Sequence, residues 1–397
     1  MKKILIILIL LLFPLNAIAL TYPTLHYKNA IVYDLTDDKV LYEQSSNEKV
    51  AMASLTKIMT IITAIENIED LNKEIIYSQT MKNNVAWYAS VAGFKVGDRL
   101  TVNDLLHGAM LPSGADAVVA LAITTSGSID EFVKLMNDQA KKIGMTNTNF
   151  VNVHGLDEEN HYSTAKDLQQ LLEYSLENET FKKVYTTKEY TLSTGKLIKS
   201  TILKTNSDTT KIIGSKTGFT GDAGLCISVL MNHKNHDIIF ITLGAPSNEN
   251  EPHHINDAVS IINFIENNYN NQTLIEKNQT IKTLKVELSK ITQYKIKATK
   301  EISKFLENDY NKDDITIKYD GIKTLTYKNK KGEKLGTVKY YYQNEEIASE
   351  DVYLTTEIKP DYLKILNKYK WQIIVIGIIC LSLIVLIRKK LIKRRSK

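Results

Sequence analysis

Cysteine and proline are scarce in this chain. Among 397 residues there are only two cysteines, Cys226 and Cys380, and six prolines. Two cysteines cannot form a disulfide framework, so core packing must hold the chain together. Six prolines exclude a collagen-like chain, and a hydrophobic fraction of 43% excludes a wholly disordered one. The eight histidines show no H-x-x-x-H string and no Cys/His ligand spacing. We therefore expect no metal site and no cofactor.

Outside its two ends the chain has no excess of positive charge. The formal net charge is +5, but nine of the 50 basic residues lie in Lys2–Lys3 and Arg388–Lys397, where no acidic residue occurs. The other 41 basic residues face 45 acidic ones, so the central chain is mildly acidic. Because nucleic-acid binding needs a basic surface, we expect no nucleic-acid partner.

The N-terminus has the pattern of a secretory signal. Lys2 and Lys3 precede a ten-residue apolar run, Ile4–Phe13, and Ala17-Ile18-Ala19 matches the small-x-small cleavage pattern. The run is too short to span a bilayer comfortably. We expect residues 1–19 to be a signal peptide, with an uncleaved N-terminal anchor as the alternative.

The C-terminus has the pattern of a membrane anchor. Trp371–Ile387 is a 17-residue stretch without charge, and the basic tail 388–397 follows it. This length is near the lower limit for a transmembrane helix. Basic residues stay on the cytoplasmic side, so we expect the tail to be cytoplasmic and the rest of the chain to lie outside the cell membrane. An amphipathic surface helix is the alternative, but Gln372 and Ser382 do not form a polar face.

Between these ends the pattern changes once. Residues 20–270 mix helical and strand periodicity, which indicates an α+β domain. Residues 275–358 contain short alternating segments divided by polar turns, which indicates a small all-β domain. Residues 359–370 are expected to form a linker to the membrane helix.

Several elements of the first domain follow from periodicity and turn signals. We expect a largely buried helix starting near Ala53, where apolar residues recur at helical spacing on more than one side. The remaining expected elements are strands at Ala30–Asp34 and Lys39–Tyr42, helices at Thr101–Ala122 and Ile129–Ile143, and a hairpin formed by Gly224–Met231 and Asp237–Leu243.

An S-x-x-K string at Ser54 is a candidate catalytic motif. Residues i and i+3 of a helix share a face, so the Lys57 amine comes within reach of the Ser54 hydroxyl. A serine needs an adjacent base to attack a carbonyl, and burial favours the neutral, basic form of a lysine. The chain has four such strings, starting at Ser46, Ser54, Ser163 and Ser193. Only the string at Ser54 opens a predicted buried helix.

A K-T-G string at Lys216–Gly218 is a candidate substrate-binding motif. It precedes the predicted hairpin, and an edge strand there could bind an extended peptide through its main chain. Lysine and threonine side chains can hold a carboxylate, and glycine keeps the strand surface open. Pro112-Ser113-Gly114 lies between the two motifs. Three such strings in this order are far more specific than any one of them.

These motifs resemble those of low-molecular-mass penicillin-binding proteins that act as serine D-alanyl-D-alanine carboxypeptidases, peptidase family S11. The resemblance implies a β-lactamase/transpeptidase-like catalytic domain, with an antiparallel sheet and helices, followed by a small all-β domain and a membrane helix. It also extends to the strings Gly97–Val102, Leu111–Ala117, His154–Asp157, His161–Ala165 and Gly214–Thr220.

The resemblance implies a role for each catalytic motif residue. Ser54 would be the acylated nucleophile, Lys57 its general base, and Ser113 a relay that passes a proton to the leaving amine. The implied reaction removes the terminal D-alanine from the pentapeptide stem of peptidoglycan, and β-lactams would be inhibitors that trap Ser54. The stem peptide and the membrane are thus the expected partners.

The substrate-binding residues are implied in the same way. Lys216 and Thr217 would hold the terminal carboxylate, and Gly218 would leave room for the substrate. The N–H of Phe219 would join that of Ser54 in an oxyanion hole. The chain has only four arginines, at positions 99, 388, 394 and 395. If relatives bind the substrate carboxylate with an arginine after the last core strand, this chain offers His253 or His254 in its place.

One departure from the family pattern leaves alternatives open. The middle motif is usually Ser-x-Asn, but Ala115 occupies its third position, and a methyl group neither donates nor accepts a hydrogen bond. A non-catalytic peptidoglycan-binding or β-lactam-binding protein of the same fold is therefore one alternative. A β-lactamase-like hydrolase is another, although Glu158 and Glu159 lack the E-x-x-x-N spacing of class A enzymes.

Overall fold

The computed structural model describes residues 22–247 and 251–395. The expected signal peptide, residues 1–19, lies outside the described residues. The chain divides into two compact units, Met1–Tyr269 and Asn270–Lys397. The first mixes helices and strands, and the second consists of strands and a C-terminal helix. The expected α+β fold class is confirmed.

The first unit is built around a sheet with helices packed against it. Its strands are β1 (Asn29–Asp34), β2 (Lys39–Gln44), β3 (Glu74–Ile76), β4 (Arg99–Thr101), β5 (Glu189–Thr191), β6 (Leu197–Lys199), β7 (Gly214–Thr220), β8 (Gly224–His233) and β9 (His236–Ala245). Its helices are α1 (Thr56–Asn67), α2 (Gln79–Asn83), α3 (Val102–Met110), α4 (Ala115–Ser126), α5 (Ile129–Ile143), α6 (Ala165–Leu176), α7 (Glu179–Thr186) and α8 (His253–Asn268).

Five antiparallel strands form the main sheet in the order β2-β1-β9-β8-β7. All six residues of β1 are buried, as are long consecutive runs of β8 and β9. Successive side chains of a strand point to opposite faces, so both faces of the sheet centre are covered. The expected strands at the N-terminus and the expected hairpin, which is β8–β9, are confirmed. Strand β7 lies at the edge of the sheet.

Helix α1 is central to the first unit, as the sequence predicts. Every residue from Thr56 to Ala64 is buried, and the helix packs against α3, α4 and α5. A short 3-10 turn, Ala53–Leu55, precedes it. This turn places Ser54 at the sheet-facing end of a helix that packing holds on all sides.

The expected single helix Thr101–Ala122 is wrong. The chain forms α3 and α4 instead, with a break at residues 111–114. Pro112 has no N–H and fixes its own backbone, and Ser113 takes a left-handed conformation with φ of 63°. The start of α3 is fixed by a capping box in which the Thr101 and Asp104 side chains bond each other's backbone N–H. The other expected helix, Ile129–Ile143, is confirmed with those bounds.

The second unit contains the expected small all-β domain. Its strands are β10 (Tyr269–Ile275), β11 (Thr280–Glu287), β12 (Gln293–Lys297), β13 (Ile302–Glu307), β14 (Ile315–Gly321), β15 (Thr324–Thr326), β16 (Lys334–Tyr342) and β17 (Glu345–Tyr353). They form the sheets β10-β13, β12-β11-β15 and β14-β16-β17. Buried side chains from all three sheets share one apolar core.

A single long helix, α9 (Tyr362–Arg395), ends the described chain. Within it, Tyr362–Lys389 is long and apolar enough to cross a membrane, with a mean hydropathy of 2.5 over its most apolar window. The helix begins at Tyr362, so most of the expected linker 359–370 is helical. Neither proline nor glycine occurs between Tyr362 and Trp371 to stop the helix from extending N-terminally.

Candidate active site

Ser54 and Lys57 form the centre of the site. The 3-10 turn before α1 carries Ser54, and Lys57 follows in the first turn of the helix. The Lys57 Nζ lies 2.8 Å from the Ser54 Oγ, as the i and i+3 spacing predicts. Its second partner is the backbone carbonyl of His154, at 2.6 Å. The hydroxyl is partly exposed, whereas the lysine is buried.

Burial makes Lys57 suitable as a base. It lowers the pKa of the Lys57 amine to about 7, against an opposing effect of the Asp116 carboxylate. The described hydrogen-bond partners of this amine are a hydroxyl and a carbonyl oxygen, and neither is a carboxylate. The amine can therefore lose its proton near neutral pH and accept one from Ser54.

The break between α3 and α4 brings a second hydroxyl and amine into the same site. The Lys216 Nζ of β7 lies 2.8 Å from the Ser113 Oγ and 2.7 Å from the carbonyl oxygen of Thr217. Lys216 is fully buried. Burial, together with the nearby Lys57, lowers its pKa well below the ordinary lysine value. Two buried amines thus lie within hydrogen-bond distance of two hydroxyls.

Strand β7 packs directly against the turn that carries the nucleophile. A Cβ added to Gly218 would lie 2.9 Å from the backbone N of Ser54 and 3.0 Å from the Cβ of Ala53. Glycine is therefore required at this position of the K-T-G string. This close approach places Phe219, the next residue of β7, on the cleft beside Ser54.

The loop from Phe150 to His161 supports the nucleophile from the other side. Thr56 donates a hydrogen bond to the carbonyl of Ala53 and accepts one from the Nε2 of His161, at 2.9 Å. The Nδ1 of His161 in turn accepts from the N–H of Val151. Burial lowers the pKa of His161 to about 4, so the ring is neutral at neutral pH. A Cβ at Gly155 would collide with the carbonyl of Ala53. The loop and the nucleophile turn are thus tightly packed together.

A cleft of about 470 Å³ opens above these residues. Six of the seven residues predicted to be catalytic or substrate-binding line it: Ser54, Lys57, Ser113, Thr217, Gly218 and Phe219. Lys216 does not, because it lies buried behind Ser113. The sequence reasoning did not name several other lining residues, among them the polar Ser90 and Thr201. Thr201 was not recognisable in advance, because only the fold brings its hydroxyl 2.6 Å from that of Thr217.

The two adjacent histidines have different positions. His254 lines the cleft, and burial lowers its pKa to about 4, with a further lowering by His253. Its Nδ1 is buried without a hydrogen-bond partner among the described residues. His253 instead stacks on His26, with ring centroids 4.1 Å apart. Of the two candidates from the sequence, only His254 therefore lines the cleft.

Three residues concern the non-catalytic and the β-lactamase-like alternatives: Ala115, Glu158 and Glu159. Ala115 lines the cleft and contributes no polar side-chain atom, although its backbone N–H donates to the Ser90 carbonyl at 2.7 Å. Glu158 accepts from Asn152 at 3.1 Å, and neither it nor Glu159 lines the cleft. A glutamate that activates water in the manner of class A β-lactamases is thus missing from the described cleft wall.

The fold and the site define the class. A partly exposed serine stands beside a buried amine free of carboxylates, under the edge strand of an antiparallel sheet. These are the features of a serine-type hydrolase that uses lysine as its base. The chain belongs to the D-alanyl-D-alanine carboxypeptidase family, whose model matches residues 16–247. A second model, the C-terminal domain of penicillin-binding protein 5, matches residues 269–360.

Individual relatives agree with this membership. The D-alanyl-D-alanine carboxypeptidase DacF of Bacillus subtilis is 31% identical over 340 residues, which cover 84% of this chain and 86% of the relative. Among solved structures, the Streptomyces K15 DD-transpeptidase matches with a TM-score of 0.56 at 28% identity, covering 62% of this chain and 98% of that one. Penicillin-binding protein 5 of Haemophilus influenzae matches with a TM-score of 0.62 over 85% of this chain and 99% of that one; at 23% identity it shows the fold alone. The resemblance drawn from the motifs is confirmed.

Proposed function

We propose that this protein removes the terminal D-alanine from peptidoglycan pentapeptide stems through an acyl-enzyme on Ser54. Family membership supports the reaction class. The observation that carries the assignment of residues is the 2.8 Å contact between the Ser54 Oγ and the buried Lys57 amine. The cleft binds no metal or organic cofactor in this proposal, because the lining hydroxyls and amines supply every group that the reaction needs.

Acylation begins with proton transfer within this pair. The neutral Lys57 Nζ takes the Ser54 proton as the Oγ attacks the carbonyl carbon of the penultimate D-alanine. The negative charge that develops on the carbonyl oxygen is stabilised by the backbone N–H groups of Ser54 and Phe219. Each such donor typically contributes about 3 to 4 kcal/mol to acyl-transfer catalysis.

Departure of the terminal D-alanine and hydrolysis of the acyl-enzyme again depend on the Lys57 amine. The bond to the terminal D-alanine breaks, and the proton that Lys57 took from Ser54 passes through the Ser113 hydroxyl to the leaving nitrogen, which makes Lys57 neutral again. Lys216 lies behind Ser113 with its amine 2.8 Å from the Ser113 Oγ, so we assign it to positioning this hydroxyl. Lys57 then takes a proton from water as the water oxygen attacks the Ser54 ester, and it returns this proton to the Ser54 Oγ as the shortened stem leaves.

The substrate carboxylate needs partners on the cleft wall. Thr217 and Thr201 offer adjacent hydroxyls there. His254 lies in the first turn of the 16-residue helix α8, an end where backbone N–H groups favour anions. We assign these three residues to the carboxylate. His254 is neutral when the cleft is empty and would donate one ring N–H to the bound anion.

Replacing His254 is expected to affect substrate binding more than chemistry. A hydrogen bond to a charged group contributes about 1.5 to 3 kcal/mol, so His254→Ala should raise KM by roughly 10- to 100-fold while kcat changes little. The measurement is steady-state D-alanine release. His253→Ala is the matched control, because His253 stacks on His26 instead of facing the cleft. Equal rises in KM for both variants would contradict the assignment.

The proposed reaction is tested by incubating the purified protein with a muramyl pentapeptide and measuring free D-alanine. We expect release of D-alanine and stoichiometric labelling by a fluorescent penicillin, because the cleft lacks a glutamate that would speed deacylation of a β-lactam. Rapid nitrocefin turnover without D-alanine release would favour a β-lactamase. Absence of both release and labelling would favour the non-catalytic alternative.

The location of the reaction follows from the C-terminal helix. We assign the first unit to the extracytoplasmic side, with helix α9 as its membrane anchor and the basic tail 388–397 in the cytoplasm. Support comes from the apolar span and from the basic residues that follow it. Peptidoglycan precursors and β-lactams are then the partners that the cleft meets.

A further inference from the structure

Three side chains that can bind a metal ion converge at one end of the main sheet. Asp34 is the last residue of β1, Asp37 lies in the turn that leads to β2, and His236 is the first residue of β9. One oxygen of each carboxylate and one ring nitrogen of His236 lie within 4.8 Å of one another. The wall of the catalytic cleft includes none of the three, so the proposed reaction does not use them.

Two of these side chains are buried and paired. Asp34 is 0% exposed and His236 is 7% exposed. The His236 Nδ1 lies 2.8 Å from the Asp34 Oδ2. The other oxygen of Asp34 accepts from the backbone N–H groups of Thr36 and Asp37, at 2.9 and 3.3 Å. The turn therefore folds around the Asp34 carboxylate, which holds Asp37 beside the buried pair.

The Asp37 carboxylate is the observation that points to a cation. Its Oδ2 atom is buried and has no hydrogen-bond partner within residues 22–247 and 251–395. Buried polar groups are nearly always paired, and an ionised oxygen that is withdrawn from water without a partner is costly. The Asp34 carboxylate nearby adds a like charge. A cation bound between the two carboxylates removes both costs.

The surroundings of the turn are acidic. Three carboxylates and one amine line a small cavity beside it, from Glu173, Glu177, Asp237 and Lys182. Leu35, the residue after Asp34, also lines this cavity, and its N–H donates to the carbonyl oxygen of Asp237 at 2.9 Å. Carboxylates that outnumber amines in this way produce a negative potential, which attracts cations.

We infer that Asp34, Asp37 and His236 bind a divalent transition-metal cation of the zinc type, with water completing its coordination. Imidazole nitrogen and carboxylate oxygen bind zinc at about 2.0 to 2.2 Å, which places ligand atoms roughly 3.4 Å apart on a tetrahedral ion. The 2.8 Å pair of His236 and Asp34 opens by about 0.6 Å to meet this spacing. His236 binds as the neutral ring through Nδ1, and coordination bonds replace its hydrogen bond to Asp34.

The ion joins two turns that are far apart in the sequence. Asp34 and His236 are separated by 202 positions, so a search for Cys/His ligand spacing could not reveal this group. Because the unfolded chain does not hold the three side chains together, the ion binds the folded protein alone and stabilises it.

The experiment uses the tag-free, full-length protein after treatment with a chelator. Its melting temperature is followed with added Zn²⁺, and its visible absorption with added Co²⁺. At a Zn²⁺ concentration about 100-fold above Kd, we expect the wild-type melting temperature to rise by roughly 5 to 10 °C. Co²⁺ should give the absorption of a low-coordinate site with a nitrogen ligand, and Zn²⁺ should displace it.

Asp37→Asn should weaken Zn²⁺ binding by at least about 100-fold and lose the shift, because loss of a ligand costs more than the 10- to 100-fold typical of outer-shell partners. Without metal this variant should melt no lower than the wild type, since it removes an unpaired buried charge. The matched control is Asp237→Asn, which removes a neighbouring carboxylate outside the group and should keep the full shift and spectrum.

Three results overturn the site. An unchanged wild-type melting temperature leaves Asp34 and His236 as a simple buried pair. A full shift in Asp37→Asn shows that Zn²⁺ binds elsewhere. A shift with Ca²⁺ as large as that with Zn²⁺ shows a general effect on an acidic surface, because Ca²⁺ prefers sets of oxygen ligands. Penicillin labelling of Asp37→Asn should equal that of the wild type, since the site lies outside the cleft.

Discussion

The Ser54→Ala variant is expected to release D-alanine from a pentapeptide at least about 10⁴-fold more slowly than the wild type, and to take up no penicillin. Removal of the nucleophile of a serine hydrolase typically reduces kcat by roughly 10⁴- to 10⁶-fold, with binding and the oxyanion hole supplying the remainder. The measurement is D-alanine release, together with labelling by a fluorescent penicillin.

A second serine of the same string type provides the control. Ser193 also begins an S-x-x-K string, but it lies in an exposed turn and bonds Asp104. Ser193→Ala should keep nearly full activity and labelling. If Ser54→Ala were as active as the wild type, Ser54 would not be the nucleophile. Labelling that persisted in this variant would show that another residue is acylated.

Lys57 variants are expected to produce the second largest effect. Loss of a general base reduces rates by roughly 10²- to 10⁴-fold. Lys57→Arg should be no better than Lys57→Met, because a guanidinium keeps its proton at every accessible pH and cannot act as a base. Lys57→Met fills a similar volume without a buried charge, so it shows the loss of the base without the penalty of burying an unpaired guanidinium.

Acylation by penicillin and D-alanine release are measured for both Lys57 variants, with Lys141→Met as an exposed control that lies on the surface of α5. Melting temperatures show whether the variants fold. Substantial activity in Lys57→Arg would contradict a role as base and would leave only an electrostatic role for this side chain.

Local spacing made the centre of the site predictable. Ser54 and Lys57 are three residues apart, and a helix that begins at this position must place them on one face. The edge strand carrying Lys216–Gly218 was also predictable, because the β-branched runs of β8 and β9 mark a hairpin that follows it directly. In both segments, the residues that act together are close to one another in the sequence.

Tertiary contacts fixed the remainder of the site. Pro112 and Gly114 are helix breakers to which the expectation of one helix gave too little weight, and only tertiary contacts give Ser113 its positive φ and bring it to Lys216. Neighbouring histidines at the start of α8 look alike in the sequence, and only packing decides that His254 faces the cleft. Thr201 comes from a separate turn that the fold brings to β7.

The central claim is that Lys57 carries no proton when Ser54 attacks. Its most direct test is the second-order rate constant for acylation by a fluorescent penicillin from about pH 5 to about pH 9. Because burial lowers the pKa of Lys57 to about 7, the protonated, inactive form dominates below that pH. The rate should rise about tenfold per pH unit there and level off above it. A rate that is flat down to about pH 5, or that rises only toward the ordinary lysine pKa of about 10.4, would contradict the account.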